Sequence, residues 1–211
     1  MKSADFKKIV TKEIAPFLRE QGWKGTGFNY TKHIGNIIRA LTIQPSSAGG
    51  KFCVEIGIHF DFIPLKGGKE FTKMKTWDME IRTRLTPHGE SDFWWDFPTN
   101  ENDRAQLFDA LRELITTRGE AYFKPFDQWK EIITKFSIDD IENGNTKSLF
   151  KIPPLSTALL LARINDEIGN REKAIAFSKY GLSKIQGKKG AGLIPDFKSI
   201  IEKADKPSYS A

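Results

Sequence analysis

One cysteine and three histidines in 211 residues leave few of the usual nucleophiles, bases and soft metal ligands. Cys53 has no partner cysteine, so an internal disulfide and a cysteine-built zinc site are both excluded, which fits a reducing compartment. It lies between Phe52 and Val54 and reads as an inert buried thiol. No apolar run approaches the ~20 residues of a membrane span. The opening Met1-Lys2-Ser3-Ala4-Asp5-Phe6 also lacks the apolar stretch of a secretory signal, so a cytoplasmic protein without a membrane partner is expected. The chain contains no Gly-x-Ser-x-Gly elbow, Walker loop, His-Glu-x-x-His or dinucleotide-binding glycine pattern. Gly22 to Gly27 is glycine-rich but follows a helix, the wrong polarity for cradling a phosphate. No catalytic residue, metal or cofactor is assigned on these grounds.

What the chain does hold is enough apolar material for a core: 39% hydrophobic and 12% aromatic residues. Its net charge of +6 is localised. Residues 1–146 balance 21 Lys+Arg against 21 Asp+Glu, whereas residues 147–211 carry 12 against 6. That asymmetry suggests two modules, 1–146 and 147–211.

Phe6, Ile9, Val10, Ile14, Phe17 and Leu18 fall three and four apart and predict a helix over 4–21, with Ser3 as N-cap and Pro16 as a kink or a break. From Phe28 the period becomes two. Strands are expected at 28–32, at 37–44, at 52–62 with Phe52, Val54, Ile56, Ile58, Phe60 and Phe62 on one face, and at 79–85 with Met79, Ile81, Thr83 and Leu85 on one face. A short fifth strand is expected within 91–98, and Lys66 to Lys75 reads as a polar, basic connector. Helices are expected from Asn100 to Ile115 and from Pro125 to Phe136. After Pro153-Pro154 the pattern is purely helical: 155–168 and 173–185 joined by Gly169-Asn170, then 195–203 and a frayed tail after Asp205. The fold class is α+β: an antiparallel sheet of four to five strands packed against N-terminal and central helices, followed by a small all-helical C-terminal unit.

Phe17-Leu18-Arg19-Glu20-Gln21-Gly22-Trp23-Lys24, Phe28-Asn29-Tyr30 and Leu41-Thr42-Ile43-Gln44-Pro45-Ser46 carry a resemblance, continued by Phe52 to Ile58 and Ile81 to Leu85. Over roughly residues 6–130 the chain resembles a bacterial family catalogued as a domain of unknown function, number 4304. The resemblance implies an α+β fold and lends no catalytic residue. Ala158 to Ile185 is similar to one tetratricopeptide-type hairpin in the placement of Ala162, Gly169, Asn170, Lys173, Ala174 and Leu182, with no second copy at that period.

Alternation places Glu55, His59 and Asp61 on the polar face of the third strand, and Glu80, Arg82 and Arg84 on that of the fourth. The bland account of these residues is a solvated charge ladder. The functional one is a surface where Arg82 and Arg84 hold a carboxylate or phosphate by paired hydrogen bonds. His59 and Asp61, about 7 Å apart along one face, supply two metal ligands with no third, and no metal is expected. Trp94 and Trp95 face opposite sides if extended, so one can enter the core while the other stays near the surface to stack on Arg82 or Arg84; the bland account is burial of both rings between sheet and helix.

The candidate binding residues are therefore Arg82, Arg84, His59, Glu55, Trp94 and Trp95. The expected function is a non-enzymatic protein-binding module, of adaptor or immunity type, that meets a protein partner with an open sheet face. An alternative is an enzyme or small-ligand binder that takes an anionic substrate at the Arg82/Arg84/His59 face. A second is weak nucleic-acid binding through Lys184, Lys188, Lys189, Lys198 and Lys203, which lack the aromatic groups that such binding uses, so nucleic acid is not the expected partner.

Overall fold

Pro16 divides the N-terminal apolar stripe into two helices. The structure, a computed structural model that describes residues 1–65 and 70–205, has α1 at Ser3–Glu13 and α2 at Ala15–Glu20. Pro16 sits in the first turn of α2, where its missing N–H removes no helical bond. Ser3 is already inside α1, so the expected cap falls one residue away, at Lys2, whose side chain does no capping.

Six strands form one antiparallel sheet: β1 (Lys24–Thr26), β2 (Asn29–Ile34), β3 (Ile37–Pro45), β4 (Lys51–Phe60), β5 (Ile81–Leu85) and β6 (Trp95–Asp96). The order is β1-β2-β3-β4-β5, with β6 also paired to β4. β1 comes from the glycine-rich stretch, where no strand is expected. Gly25 makes it possible: its φ is +142°, and a Cβ there would sit 2.2 Å from the Asn29 carbonyl oxygen. β5 pairs with Val54–Ile58 of β4, and β6 pairs with Lys51 and Phe52 on the same edge. β5 and β6 are thus one interrupted strand, from which residues 86–94 leave the sheet and return.

One face of the sheet carries Tyr30, Arg39, Leu41, Phe52, Ile56, Ile58, Ile81 and Leu85, as the register requires. Helices cover it. Phe6 of α1 packs on Phe52 with ring centroids 4.8 Å apart and stacks on Phe97 at 4.2 Å. α3 (Glu101–Leu114), capped by Asn100, is tied to α1 by Arg112, which donates to the Glu13 carbonyl at 3.1 Å. A π-helical turn, Ile115–Gly119, leads into α4 (Glu120–Asp127), which contributes Phe123 and Phe126. Each fully buried side chain of this size contributes about 1.5–3 kcal/mol over its exposed state.

The other face is where expectation and structure part. The register puts Ile38, Ala40, Thr42, Cys53, Glu55, Gly57, His59, Arg82 and Arg84 there. Most of it is buried, in part because the connection from β4 to β5 folds back and buries Met74 and Met79 against Ile38 and Ala40, with Leu65 and Phe71 beside them. Met79 therefore lies on the side opposite Ile81, since β5 begins only at Ile81. Gly57 leaves the space: a Cβ there would stand 2.7 Å from Met79 Cγ. Of the expected basic connector, Lys66, Gly67, Gly68 and Lys69 lie outside the described residues, as does the tail after Asp205.

The compact units divide at Asp127/Gln128, earlier than the charge asymmetry places the boundary. The second unit holds α5 (Trp129–Ile133), α6 (Ile138–Glu142), α7 (Pro154–Glu167), α8 (Arg171–Lys184) and α9 (Ile194–Asp205). The single helix expected at 125–136 is the end of α4 and, separately, α5. Gly169, at φ +79°, turns α7 into α8, and the Asn170 side chain caps α8 by accepting from the Lys173 N–H. Phe197 of α9 lies on Gly181 of α8.

Candidate partner-binding site

Glu55 and Arg84 stand opposite each other on β4 and β5. Arg84 Nε is 3.9 Å from Glu55 Oε1, and Glu55 Oε2 accepts from Thr76 Oγ1 at 2.9 Å. Thr76 N–H donates to Thr42 Oγ1 at 3.4 Å, and Thr42 Oγ1 donates to Asn29 Oδ1 at 3.2 Å. A polar chain thus runs from β2 to β5 and fastens the covering segment to the sheet.

Beyond Glu55 the arginine meets its own loop. Arg84 NH1 donates to the Asp92 carboxylate, and the Trp94 ring lies 4.8 Å from Arg84 Cζ, cation–π geometry. Trp94 Nε1 donates to Asp92 Oδ2 at 3.3 Å. Arg84 and Trp94 are half-buried. Arg82, two residues before Arg84 on the same face, is exposed, and its side chain makes no ion pair or hydrogen bond among the described residues.

Glu55, Arg84 and Trp94 therefore come together, and Arg82 adjoins them. His59 and Trp95 do not join this group. His59, 1% exposed, lies under the covering segment, where its Nε2 is 2.9 Å from the Ile63 carbonyl oxygen and its ring 6.2 Å from Phe71. The apolar residues of the connection need a surface, and Ile38, Ala40 and Gly57 supply one. Trp95 turns to the helix-covered face, stacked on Phe52 at 6.3 Å and met edge-on by Phe93 at 5.0 Å. The adjacent tryptophans thus take opposite sides.

Asp61 pairs with His33 Nε2 at 3.1 Å and accepts from Asn36 Nδ2 at 3.1 Å, rather than joining His59. Among the described residues, no three His, Cys, Asp or Glu side chains gather in a way that would hold a metal ion. Cys53 is buried, and burial pushes its thiol pKa up.

Asp92 and Thr76 are the members that sequence reasoning missed. Asp92 had one signal, a carboxylate two residues before Trp94 in a loop following a basic strand. Thr76 had none. Trp77 is 49% exposed on the covering segment, with Lys75 Nζ 4.7 Å from its ring centroid. In the second unit, Lys184 binds Glu142 at 2.9 Å and Lys203 binds Asp166 at 2.7 Å, while Lys188, Lys189 and Lys198 are exposed. The hydrogen bond that Lys184 donates to the Glu142 carboxylate holds its ammonium above its usual pKa.

An antiparallel sheet with helices on one face and a folded-back connection over part of the other defines an α+β protein. Residues 14–125 match the model of a family described as a domain of unknown function (DUF4304), more than half of the chain, and the chain belongs to that family. The match ends before the C-terminal helices. No curated protein and no solved structure matches the chain. No helix among the described residues is long and apolar enough to cross a membrane.

Proposed function

We propose that this chain is a non-enzymatic, cytoplasmic protein-binding module, of adaptor or immunity type, which meets its partner on the uncovered part of the sheet around Arg82, Arg84 and Trp94, with Glu55 at its border holding Arg84 to the covering segment. The observation that carries the reading is the pairing of Arg84 with the Trp94 ring beside the exposed Arg82, whose side chain has no ion pair among the described residues. Arginine and tryptophan at the border of an open surface are the residue types that anchor protein interfaces. The anionic-substrate reading loses one of its residues, because His59 lies under the covering segment with its Nε2 against the Ile63 carbonyl rather than beside Arg82 and Arg84. Nucleic-acid binding through the basic C-terminal helices is weakened by the engagement of Lys184 and Lys203 with acids of their own unit.

Capture from the native host with wild type, R82A/R84A and the distant control K198A tests the reading. One specific protein recovered by wild type and K198A and lost from R82A/R84A is expected. Equal recovery of every captured protein by all three variants would contradict it.

A further inference from the structure

β5 is an edge strand. One side pairs with β4, and the backbone groups of Ile81–Leu85 that point the other way meet no hydrogen-bond partner among the described residues. In an antiparallel strand alternate residues turn their N–H and C=O outward, so β5 offers a short ladder to any strand that can lie beside it. Which strand it accepts is decided by charge. Arg82 and Arg84 are two apart and share a face, about 7 Å between α-carbons, so a neighbouring strand brings its own alternate side chains against them. A second copy of β5 is disfavoured: antiparallel pairing about Thr83 places each Arg82 opposite the other copy's Arg84, like charge on like. An acidic strand is favoured for the same reason.

The excursion between β5 and β6 shows the chemistry in miniature. Residues 86–94 leave the sheet and return Asp92 to Arg84, its carboxylate on NH1, while Trp94 covers the guanidinium and donates to the same carboxylate. Asp92 is 53% exposed and sits on a loop, so it can be displaced without opening the core. Among the described residues Arg82 has no such internal carboxylate.

We propose that the free edge of β5 takes up an extended acidic segment of a partner protein as an added strand, carboxylates at alternate positions of that segment binding Arg82 and Arg84, with Asp92 as the internal carboxylate that the segment displaces. The proposal rests on the protein-binding reading and names the partner's chemistry.

The test uses the full chain and the capped peptide Thr-Glu-Val-Glu-Thr, with Thr-Gln-Val-Gln-Thr, Thr-Lys-Val-Lys-Thr and succinate as comparators, followed by tryptophan fluorescence and calorimetry. The glutamate peptide is expected to bind at one site at least tenfold more tightly than the other three. R82A and R84A should each weaken it severalfold, and D92N should strengthen it about threefold or more. R82E/R84E should reverse the preference toward the lysine peptide, a gain that an unfolded variant cannot produce. Overturning results are glutamate-peptide binding unchanged in R82A and R84A, succinate binding as tightly as the peptide, or no peptide binding at all. If the peptide fails while an Arg82- and Arg84-dependent protein is still captured, strand addition falls and the broader reading stands. If capture is also independent of the arginines, both fall.

Discussion

Arg39 of β3 donates from NH1 to Glu120 Oε2 of α4 at 3.0 Å, and its NH2 meets the Asp127 carboxylate at the other end of the same helix. The guanidinium lies 4.8 Å from the Phe123 ring centroid between them, on the helix-covered face of the sheet. Arg39 is 3% exposed, whereas the side chains of Glu120 and Asp127 are 43% and 54% exposed. The charge that depends on this contact is therefore the arginine, since either acid can hydrate without it.

That imbalance predicts an asymmetric mutational response. Removing both acids in E120A/D127A strands a buried guanidinium and should cost about 3 kcal/mol or more. R39M keeps the packing on Phe123 and frees only exposed carboxylates, so its cost should stay near or below about 1.5 kcal/mol. Urea unfolding of the three proteins checks the order; equal losses would contradict it.

Gly57→Ala should loosen the covering segment. The new methyl would press on Met79 Cγ, Met79 Cβ and the Ile81 carbonyl, the last a backbone atom that cannot rotate away. Overpacking of this kind typically costs about 1–3 kcal/mol. Faster amide exchange across 70–79 and a rise in His59 accessibility are expected, with the helix-covered face unchanged.

Alkaline pH should destabilise the first unit through its buried phenols. Burial pushes Tyr30 up to about 12 from 10.0, against a smaller opposing pull from Arg19, and raises Tyr122 as well. Below about pH 10 the folded and unfolded chains hold these protons alike. Above it the unfolded chain releases them first, so stability is lost as pH rises toward about 12 for Tyr30. Tyr30 donates to the Gly27 carbonyl at 3.0 Å, while the Tyr122 hydroxyl is buried without an acceptor among the described residues. Tyr122→Phe should therefore be neutral or stabilising at pH 7 and should flatten the alkaline decline. Unfolding midpoints against pH, read beside tyrosinate absorbance, measure both effects.

In the second unit, Gly181→Ala would set a methyl 2.2 Å from Phe197 Cζ. The mutation favours α8 by intrinsic propensity, by about 1 kcal/mol. Displacing Phe197 should outweigh that gain and lower the melting temperature, and G181A/F197L should recover part of the loss.

The sequence patterns were most informative where one period governed. Alternation along β4 assigned Phe52, Val54, Ile56, Ile58 and Phe60 to one face correctly, but the strand expected to reach Phe62 ends at Phe60, where a turn begins; the step from Trp94 to Trp95 split the two rings as alternation requires. The free plane failed for a reason already visible in β3: Ile38 and Ala40 are apolar on the supposedly polar side, as in a strand covered on both faces. The cover, Leu65, Phe71, Met74 and Met79, has no period, because its short turns follow the sheet surface rather than a helix or strand of their own. His59 was misplaced for the same reason. Arg39 was unreadable because its partners lie about 80 residues on, in a helix interrupted by a π-helical turn and containing Pro125.

Backbone amide exchange of the full chain, with and without saturating Thr-Glu-Val-Glu-Thr peptide, tests the central claim most directly. Slowed exchange confined to Ile81–Leu85 and the adjoining 92–94 loop, with the opposite edge at Lys24–Thr26 unchanged, is the predicted result. Protection at Lys24–Thr26 or at 187–190 with β5 unaltered would contradict it.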